Sequence, residues 1–326
     1  MTQAAPMVEV WRGDFLESAH AGHAVVCDAS GQIVDAWGDA DAVVLPRSSA
    51  KMIQAVPLIT SGAADAAGLT PAHLALACAS HNGAAIHTDR VADWLKTLDL
   101  DDDALRCGPQ MPDNRDAREG LIRAHIAPCQ MHNNCSGKHT GFLTLAKHLG
   151  AGPEYIDAAH PVQVAVRDAF EAATGETSPG FGIDGCSAPN FACSLHGMAR
   201  AMAQFAAAPP DSAEARLHEA MRLHPDLVAG EGRACTELMR AMDGKVAIKT
   251  GAEAFFTAIL PEQKLGIALK IVDGSTRASE CVIAAILVKL GVLAADHPAT
   301  CKRMNAPILN RRKIQTGWIR PTAALA

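Results

Sequence analysis

Aromatic side chains are scarce in this chain, at 4% of 326 residues with a single tyrosine. An aromatic-led core is therefore excluded, and the interior has to rest on Ala, Val, Leu, Ile and Met. No uninterrupted apolar run reaches the roughly 20 residues of a membrane-spanning helix. Positive charge is lacking too: the formal net charge is -6 and there is no long basic block, which argues against nucleic acid as a partner. Arg311-Arg312-Lys313 is the only basic cluster and reads as part of a solvated tail. The opening segment Met1–Val10 has neither a basic n-region nor an apolar h-region, so no secretory leader is expected. Ten cysteines occur without a Cys-x-x-Cys and without regular spacing. In a chain of this length they read as reduced, mostly buried thiols, and the expected compartment is the cytoplasm.

Apolar residues make up 49% and charged residues 20%, ample material for a core. The length predicts one unit over 1–326, either one large domain or two intimately packed lobes. Strand patterns lie near both ends. Residues 8–16 and 22–37 alternate, with a turn at Ala29-Ser30-Gly31, and 254–260 pairs with 265–272 across Pro261-Glu262-Gln263. Helical patterns fill the middle, at about 49–61, 88–98, 140–149, 161–174, 195–206, 211–223 and 235–242, and one more lies at 279–290. Leu74–Ala79 is ambiguous between strand and helix. Residues 107–139 show no period and read as a long functional loop. The order predicts an α+β fold: an antiparallel sheet from strands at about 8–45 and 245–273, with a helical lobe over about 60–244.

Ser48 and Lys51 stand three apart where a helix begins, on one face and close enough to touch. A lysine amine so placed can take the proton of a serine hydroxyl and make a nucleophile without histidine. Alone, the pair reads more readily as a helix-capping serine followed by a solvated lysine, a very common arrangement. Ser80-His81-Asn82 closes the apolar run at Ala79, and Lys249-Thr250-Gly251 ends a strand. A Ser-x-x-Lys, a Ser-x-Asn and a Lys-Thr-Gly in this order form the motif set of serine β-lactamases and penicillin-binding proteins. Within such a set Ser48 attacks a carbonyl, Lys51 is the base and Ser80 relays a proton to the leaving nitrogen. Lys249 supplies a cation, and the backbone N–H groups of Ser48 and Ala252 hold the oxyanion. Taken singly, Ser80 is equally a turn serine and Lys249 a solvated strand-end lysine. Ser48, with its one-turn spacing to Lys51, is preferred to Ser49.

Longer segments carry a resemblance over most of the chain. They are Arg47-Ser48-Ser49-Ala50-Lys51, Ala79-Ser80-His81-Asn82-Gly83, His132-Asn133-Asn134-Cys135-Ser136-Gly137-Lys138-His139, Gly182-Ile183-Asp184-Gly185-Cys186-Ser187-Ala188-Pro189 and Lys249-Thr250-Gly251-Ala252-Glu253. Together they resemble the bacterial L-asparaginase II family of the Rhizobium etli inducible type. The third and fourth segments are the specific ones, since no β-lactamase rule anticipates them. The resemblance implies a serine β-lactamase/penicillin-binding-protein-like fold, a homodimer, and two Ser-Lys pairs, Ser48 with Lys51 and Ser80 with Lys249. It also implies one zinc ion per subunit, held by Cys135, Lys138 and Cys186 with water completing the shell.

Two thiolates suit zinc, although spacing alone favours His132 or His139 over Lys138 as the nitrogen ligand, and buried thiols are the plain alternative. Asp184 is open between anchoring its loop, orienting a ligand and receiving a substrate ammonium. His139 and Cys235 are further candidates, with ordinary packing as the alternative. His87, His218 and His224 read as surface or satisfied structural groups.

The expected reaction is hydrolysis of L-asparagine to L-aspartate and ammonia through an acyl-enzyme on Ser48. A glutaminase, or another Ser-Lys hydrolase of β-lactams or esters, is the nearest alternative, because one methylene offers an apolar pocket little discrimination. A zinc-thiolate sensing or binding protein is the alternative outside catalysis.

Overall fold

The computed structural model describes residues 3–325, so Met1 and Thr2 of the leader reading, and Ala326, lie outside it. The chain divides into two compact units. One holds the residues up to Ser49, 193–207 and those from Glu237 onward; the other holds 50–192 and 208–236.

The first unit contains the main sheet. Its strands are β1 (Ala5–Arg12), β2 (Phe15–Asp28), β3 (Ile33–Trp37), β4 (Ala247–Gly251), β5 (Phe255–Leu260), β6 (Leu265–Ile271), β7 (Ala306–Leu309) and β8 (Gln315–Pro321). They run in the order β7-β8-β1-β2-β6-β5-β4, with β3 also on β2, and every pairing is antiparallel. An α+β fold with a sheet from both termini is thus realised. β5 is buried at every position, the mark of a strand covered on both faces.

The helix Leu195–Ala206, expected within the helical lobe, belongs to the sheet-bearing unit and packs on β2, β5 and β6. Its small residues decide this. The backbone at Ala199 and Ala203 comes so close to Gly266 of β6 that a Cβ there would overlap both. The expected basic tail is also corrected: Arg311-Arg312-Lys313 form the turn of the β7–β8 hairpin. The Asn310 side chain accepts the N–H groups of Arg312 (2.9 Å) and Ile314 (3.0 Å), and Lys313 takes φ 64°. β7 buries none of its residues and β8 only one, so neither carries a readable apolar period.

In the second unit the helix Lys51–Thr60 is buried from Lys51 through Ile59 and packs against helices Ser136–His148, Pro161–Thr174 and Ala213–Leu223. Leu74–Ala77 proves helical, as part of Pro71–Ala77, because Thr70 and His73 form a capping box and Pro71 takes the first turn. The expected loop 107–139 contains a helix, Arg115–Ala124. Asn114 caps it by accepting from Ala117 N at 2.9 Å, and none of its residues is buried, so no apolar stripe announces it. Among the described residues no helix is long and apolar enough to cross a membrane.

Candidate active site

In the sheet-bearing unit, the short pairing of Val43–Val44 with Cys193–Ser194 delivers the chain to Pro46. Arg47 then takes φ 52°, a conformation that costs a non-glycine residue about 1 kcal/mol or more, and starts the tight turn Arg47–Ala50. The following helix has Ala50 at its N-cap and no side-chain cap, so Ser48 is not a capping serine. Ser48 is half-buried, whereas Ser49 is fully buried and spends its hydroxyl on the Lys249 carbonyl at 2.9 Å. Thr257 on β5 donates to the carbonyls of Ser49 (3.3 Å) and Lys249 (3.4 Å).

The Arg47–Ala50 turn is thereby fixed to the edge strand β4. Gly251 of β4 is required there, since a Cβ would lie 2.6 Å from Pro46 O and 2.9 Å from Ser49 Oγ. Lys249 is fully buried, and its Nζ donates to Thr250 O at 2.8 Å. Ala252 is exposed in the turn between β4 and β5.

In the helical unit, Lys51 opens its helix with a buried side chain. Its amine donates to Ala79 O and lies 2.9 Å from Ser80 Oγ and 3.0 Å from Cys135 Sγ, a hydroxyl and a thiol that can each donate to it when it is neutral. The lysine of the first motif therefore engages the serine of the second directly. Ser80-His81-Asn82 is held extended by backbone bonds from Ser80 N to Val228 O (2.9 Å), His81 N to Asn134 O (3.1 Å) and Asn82 N to Ala229 O (2.9 Å). Ser136 donates to Met131 O at 2.9 Å, so it accepts from His81 Nε2–H, also at 2.9 Å, while His81 Nδ1 accepts from Gly83 N at 3.2 Å. His81 is consequently neutral, and burial together with the stacked His87 ring (4.7 Å) holds it well below the usual imidazole range.

Cys135 precedes the helix Ser136–His148, and Lys138 lies in its first turn with Nζ 3.1 Å from Cys186 Sγ. Gly137 lets this helix approach Leu76, whose carbonyl a Cβ would meet at 2.5 Å. Cys186 sits at the tip of the hairpin that pairs Phe181–Ile183 with Pro189–Phe191, where Ser187 takes φ 70°. Asp184 begins that tip, half-buried: its carbonyl accepts Ser187 N at 2.8 Å and its carboxylate accepts Gly185 N at 2.8 Å.

A hydrogen bond from Cys135, with the Lys138 ammonium and His139 beside it, holds the Cys186 thiol well below its ordinary range. The same bond and burial push Cys135 well above. Burial works against the charge on Lys138, but the neighbouring sulfurs outweigh it and raise its pKa. His139 Nδ1 faces the hydroxyl of Tyr155 at 2.9 Å, and its buried Nε2 has no well-aligned partner but lies within electrostatic reach of Cys186.

Among the described residues no group of three or more His, Cys, Asp or Glu is arranged to hold a metal ion. A zinc site here depends on the lysine. Lys138 Nζ stands 3.1 Å from Cys186 Sγ, but the neighbouring sulfurs favour its protonated form, so it could join Cys135 and Cys186 as a zinc donor only by giving up that proton when the metal binds. Cys235 is buried in its helix, and His87 is buried and donates to Asp226 O at 2.9 Å. His87 and His218 both depart from the expectation of surface or fully satisfied groups: each is buried, and the Nδ1 of each has no partner among the described residues.

Three contributors escaped the sequence reading. Ser49 and Thr257 fix the first motif to the third, and Tyr155 buttresses His139. Being the only tyrosine, in a chain so poor in aromatics, was the signal that Tyr155 offered.

No curated protein matches this chain. Solved structures with a related backbone include Mglu in its native form, at 12% identity and TM-score 0.47, covering 85% of this chain and 66% of that chain. The chain thus spans just under two thirds of the length of Mglu. Others are a putative β-lactamase from Bacteroides dorei DSM 17855 (12% identity, TM-score 0.44, 78% and 87%) and a β-lactamase from Mycobacterium bovis (12%, 0.37, 82% and 94%). The family model for L-asparaginase II matches residues 8–321, nearly the whole length. With its three motifs built as described, the chain belongs to the L-asparaginase II family.

Proposed function

We propose that the protein is an L-asparagine amidohydrolase of the Rhizobium etli inducible type, with Ser48, Lys51, Ser80 and Lys249 as its catalytic residues. The observation that carries this reading is the buried Lys51 amine on the Ser80 hydroxyl at 2.9 Å, in a chain of this family. Ser48 Oγ attacks the side-chain amide carbon while Lys51 takes the hydroxyl proton. The backbone N–H groups of Ser48 and Ala252 receive the developing oxyanion. Collapse breaks the C–N bond, the proton passes through Ser80 to the leaving nitrogen, and ammonia departs. Water then hydrolyses the Ser48 ester and releases L-aspartate, with Lys249 countering the anionic carboxylate and Asp184 receiving the ammonium.

Cys135, Cys186 and Lys138 would hold one zinc ion per subunit. Bound there it would act as a Lewis acid or orient the substrate. Ten cysteines free of disulfides favour a reducing, cytoplasmic setting, and a homodimer completes the proposal.

The test is ammonia release from asparagine, glutamine and a chromogenic β-lactam, with Ser48→Ala as control. Asparagine should be the preferred substrate and Ser48→Ala should lose about a thousandfold or more in kcat. Undiminished hydrolysis in Ser48→Ala would remove that residue as nucleophile. Elemental analysis of the Cys135→Ser/Cys186→Ser double variant should find no zinc; retention of zinc refutes the metal site.

A further inference from the structure

The turn that carries Ala252 is strained. Glu253 and Ala254, which follow it, take φ 57° and 58°, two consecutive left-handed residues of which neither is glycine. Such a turn persists only where its surroundings over-determine it. The neighbouring strand does so. Ile271 N donates to Ala254 O at 3.2 Å, and the half-buried Lys270 of β6 reaches back to donate to Glu253 O and to Ile271 O, both at 2.6 Å. The Glu253 carboxylate is in turn packed against Gly274, where a Cβ would come within 2.8 Å of Oε2. A lysine on the last turn of a strand ordinarily reaches for solvent; this one is bent onto two backbone carbonyls, at the place where the main chain has the least freedom to spare.

We propose that Lys270 is a positioning residue: its ammonium locks the left-handed Glu253–Ala254 pair and so fixes the direction of the Ala252 N–H. Lys270 touches no reacting atom and acts through the turn. A donor aimed at a developing oxyanion works only while its direction is held, and a misplacement of about 1 Å can cost on the order of a hundredfold in rate. The inference rests on the asparagine-hydrolase reading for its kinetic consequence, although the lock itself does not.

The experiment compares wild type, Lys270→Met and the triple variant Lys270→Met/Glu253→Gly/Ala254→Gly. Glycine adopts positive φ without a steric penalty, so it should hold the turn when the lysine cannot. Lys270→Met should lose about tenfold or more in kcat with asparagine at little-changed KM, and the triple variant should recover most of that loss. Amide hydrogen exchange over residues 251–255 should accelerate in Lys270→Met and slow again in the triple variant. Full kcat in Lys270→Met, or no recovery with the glycines, overturns the proposal. If Lys270→Met does not fold, folding of the triple variant supports the lock; failure of both refutes it, since Lys270 is then a general structural residue. If the wild type releases no ammonia from asparagine, the functional reading fails while the exchange measurement still decides the lock.

Discussion

Gly251→Ala separates two opposed expectations. Gly251 is not among the residues with positive φ, so its backbone is one that alanine can adopt. By unfolded-state entropy alone the substitution should stabilise by about 0.4–1 kcal/mol. The packing says otherwise. The new Cβ would lie 2.6 Å from Pro46 O, 2.9 Å from Ser49 Oγ and 3.2 Å from Phe255 Cβ, and the first of these is main chain that cannot rotate away. Relief requires edge strand β4 and the Arg47–Ala50 turn to separate by roughly 0.5 Å or more. That stretches the Ser49 hydroxyl bond to Lys249 O from 2.9 Å towards the limit of a hydrogen bond.

Overpacking costs about 1–3 kcal/mol and the weakened buried hydrogen bond about 0.5–1.5 kcal/mol, so a net loss of about 1–3 kcal/mol survives the entropic gain. By calorimetry this corresponds to a Tm lowered by roughly 2–8 °C. Because the displaced turn carries Ser48, kcat should fall by about tenfold or more in the ammonia-release assay. Gly120→Ala is the control. It lies inside the exposed helix Arg115–Ala124 with nothing within 4 Å of a new Cβ, and should raise Tm slightly. A Gly251→Ala protein with unchanged or raised Tm and undiminished kcat would refute the claim that the first and third motifs are locked together at this point.

Ser49→Ala should destabilise by about 1 kcal/mol through the bond it removes from Lys249 O, yet retain a working nucleophile, so its kcat should stay far above that of Ser48→Ala; equal kinetic losses in the two variants would show that Ser48 is not special. Lys51→Met fills the same space without the amine beside Ala79 O, Ser80 Oγ and Cys135 Sγ; ammonia release should drop about a thousandfold while Tm moves by only a few degrees, and persistent turnover would exclude Lys51 as base. Burial holds His218 down to about 4. Between the unfolded value near 6.5 and that value the unfolded chain binds a proton the native one refuses, so stability falls with falling pH by up to about 2–3 kcal/mol, and levels off below. His218→Leu should flatten this limb of a Tm-against-pH curve, and an identical limb in the variant would rule His218 out as its source.

What the sequence revealed follows the strength of local signals. The β5–β6 hairpin and the buried helix Lys51–Thr60 were legible because their apolar content and turn chemistry agree with the tertiary outcome. The helix Arg115–Ala124 and strand β7 were not, because elements that bury nothing leave no period to read. The assignment of Leu195–Ala206 to the sheet was also hidden, since it turns on the absence of a Cβ at Gly266, some sixty positions away. Pairwise contacts within the site were harder still. The spacing of Ser48 and Lys51 fixed their neighbourhood, but the bond from Lys51 to Ser80 depends on how Val228 and Ala229 hold Ser80 and Asn82 extended.

Two adjacent serines with one lysine three positions after the first could have divided the work either way. The division is decided by what each hydroxyl already does. Ser49 is fully buried and bonded to the Lys249 carbonyl at 2.9 Å, with Thr257 bonded to the Ser49 carbonyl, so freeing the Ser49 hydroxyl would leave the Lys249 carbonyl only its longer Thr257 bond (3.4 Å) and loosen the turn. Ser48 is half-buried, does not cap the helix that follows, and comes directly after the strained Arg47. Strain at Arg47 is sustained because Ser49 anchors the other side of the turn. The serine that looks like a duplicate of Ser48 is the one that holds the Ser48 turn in place.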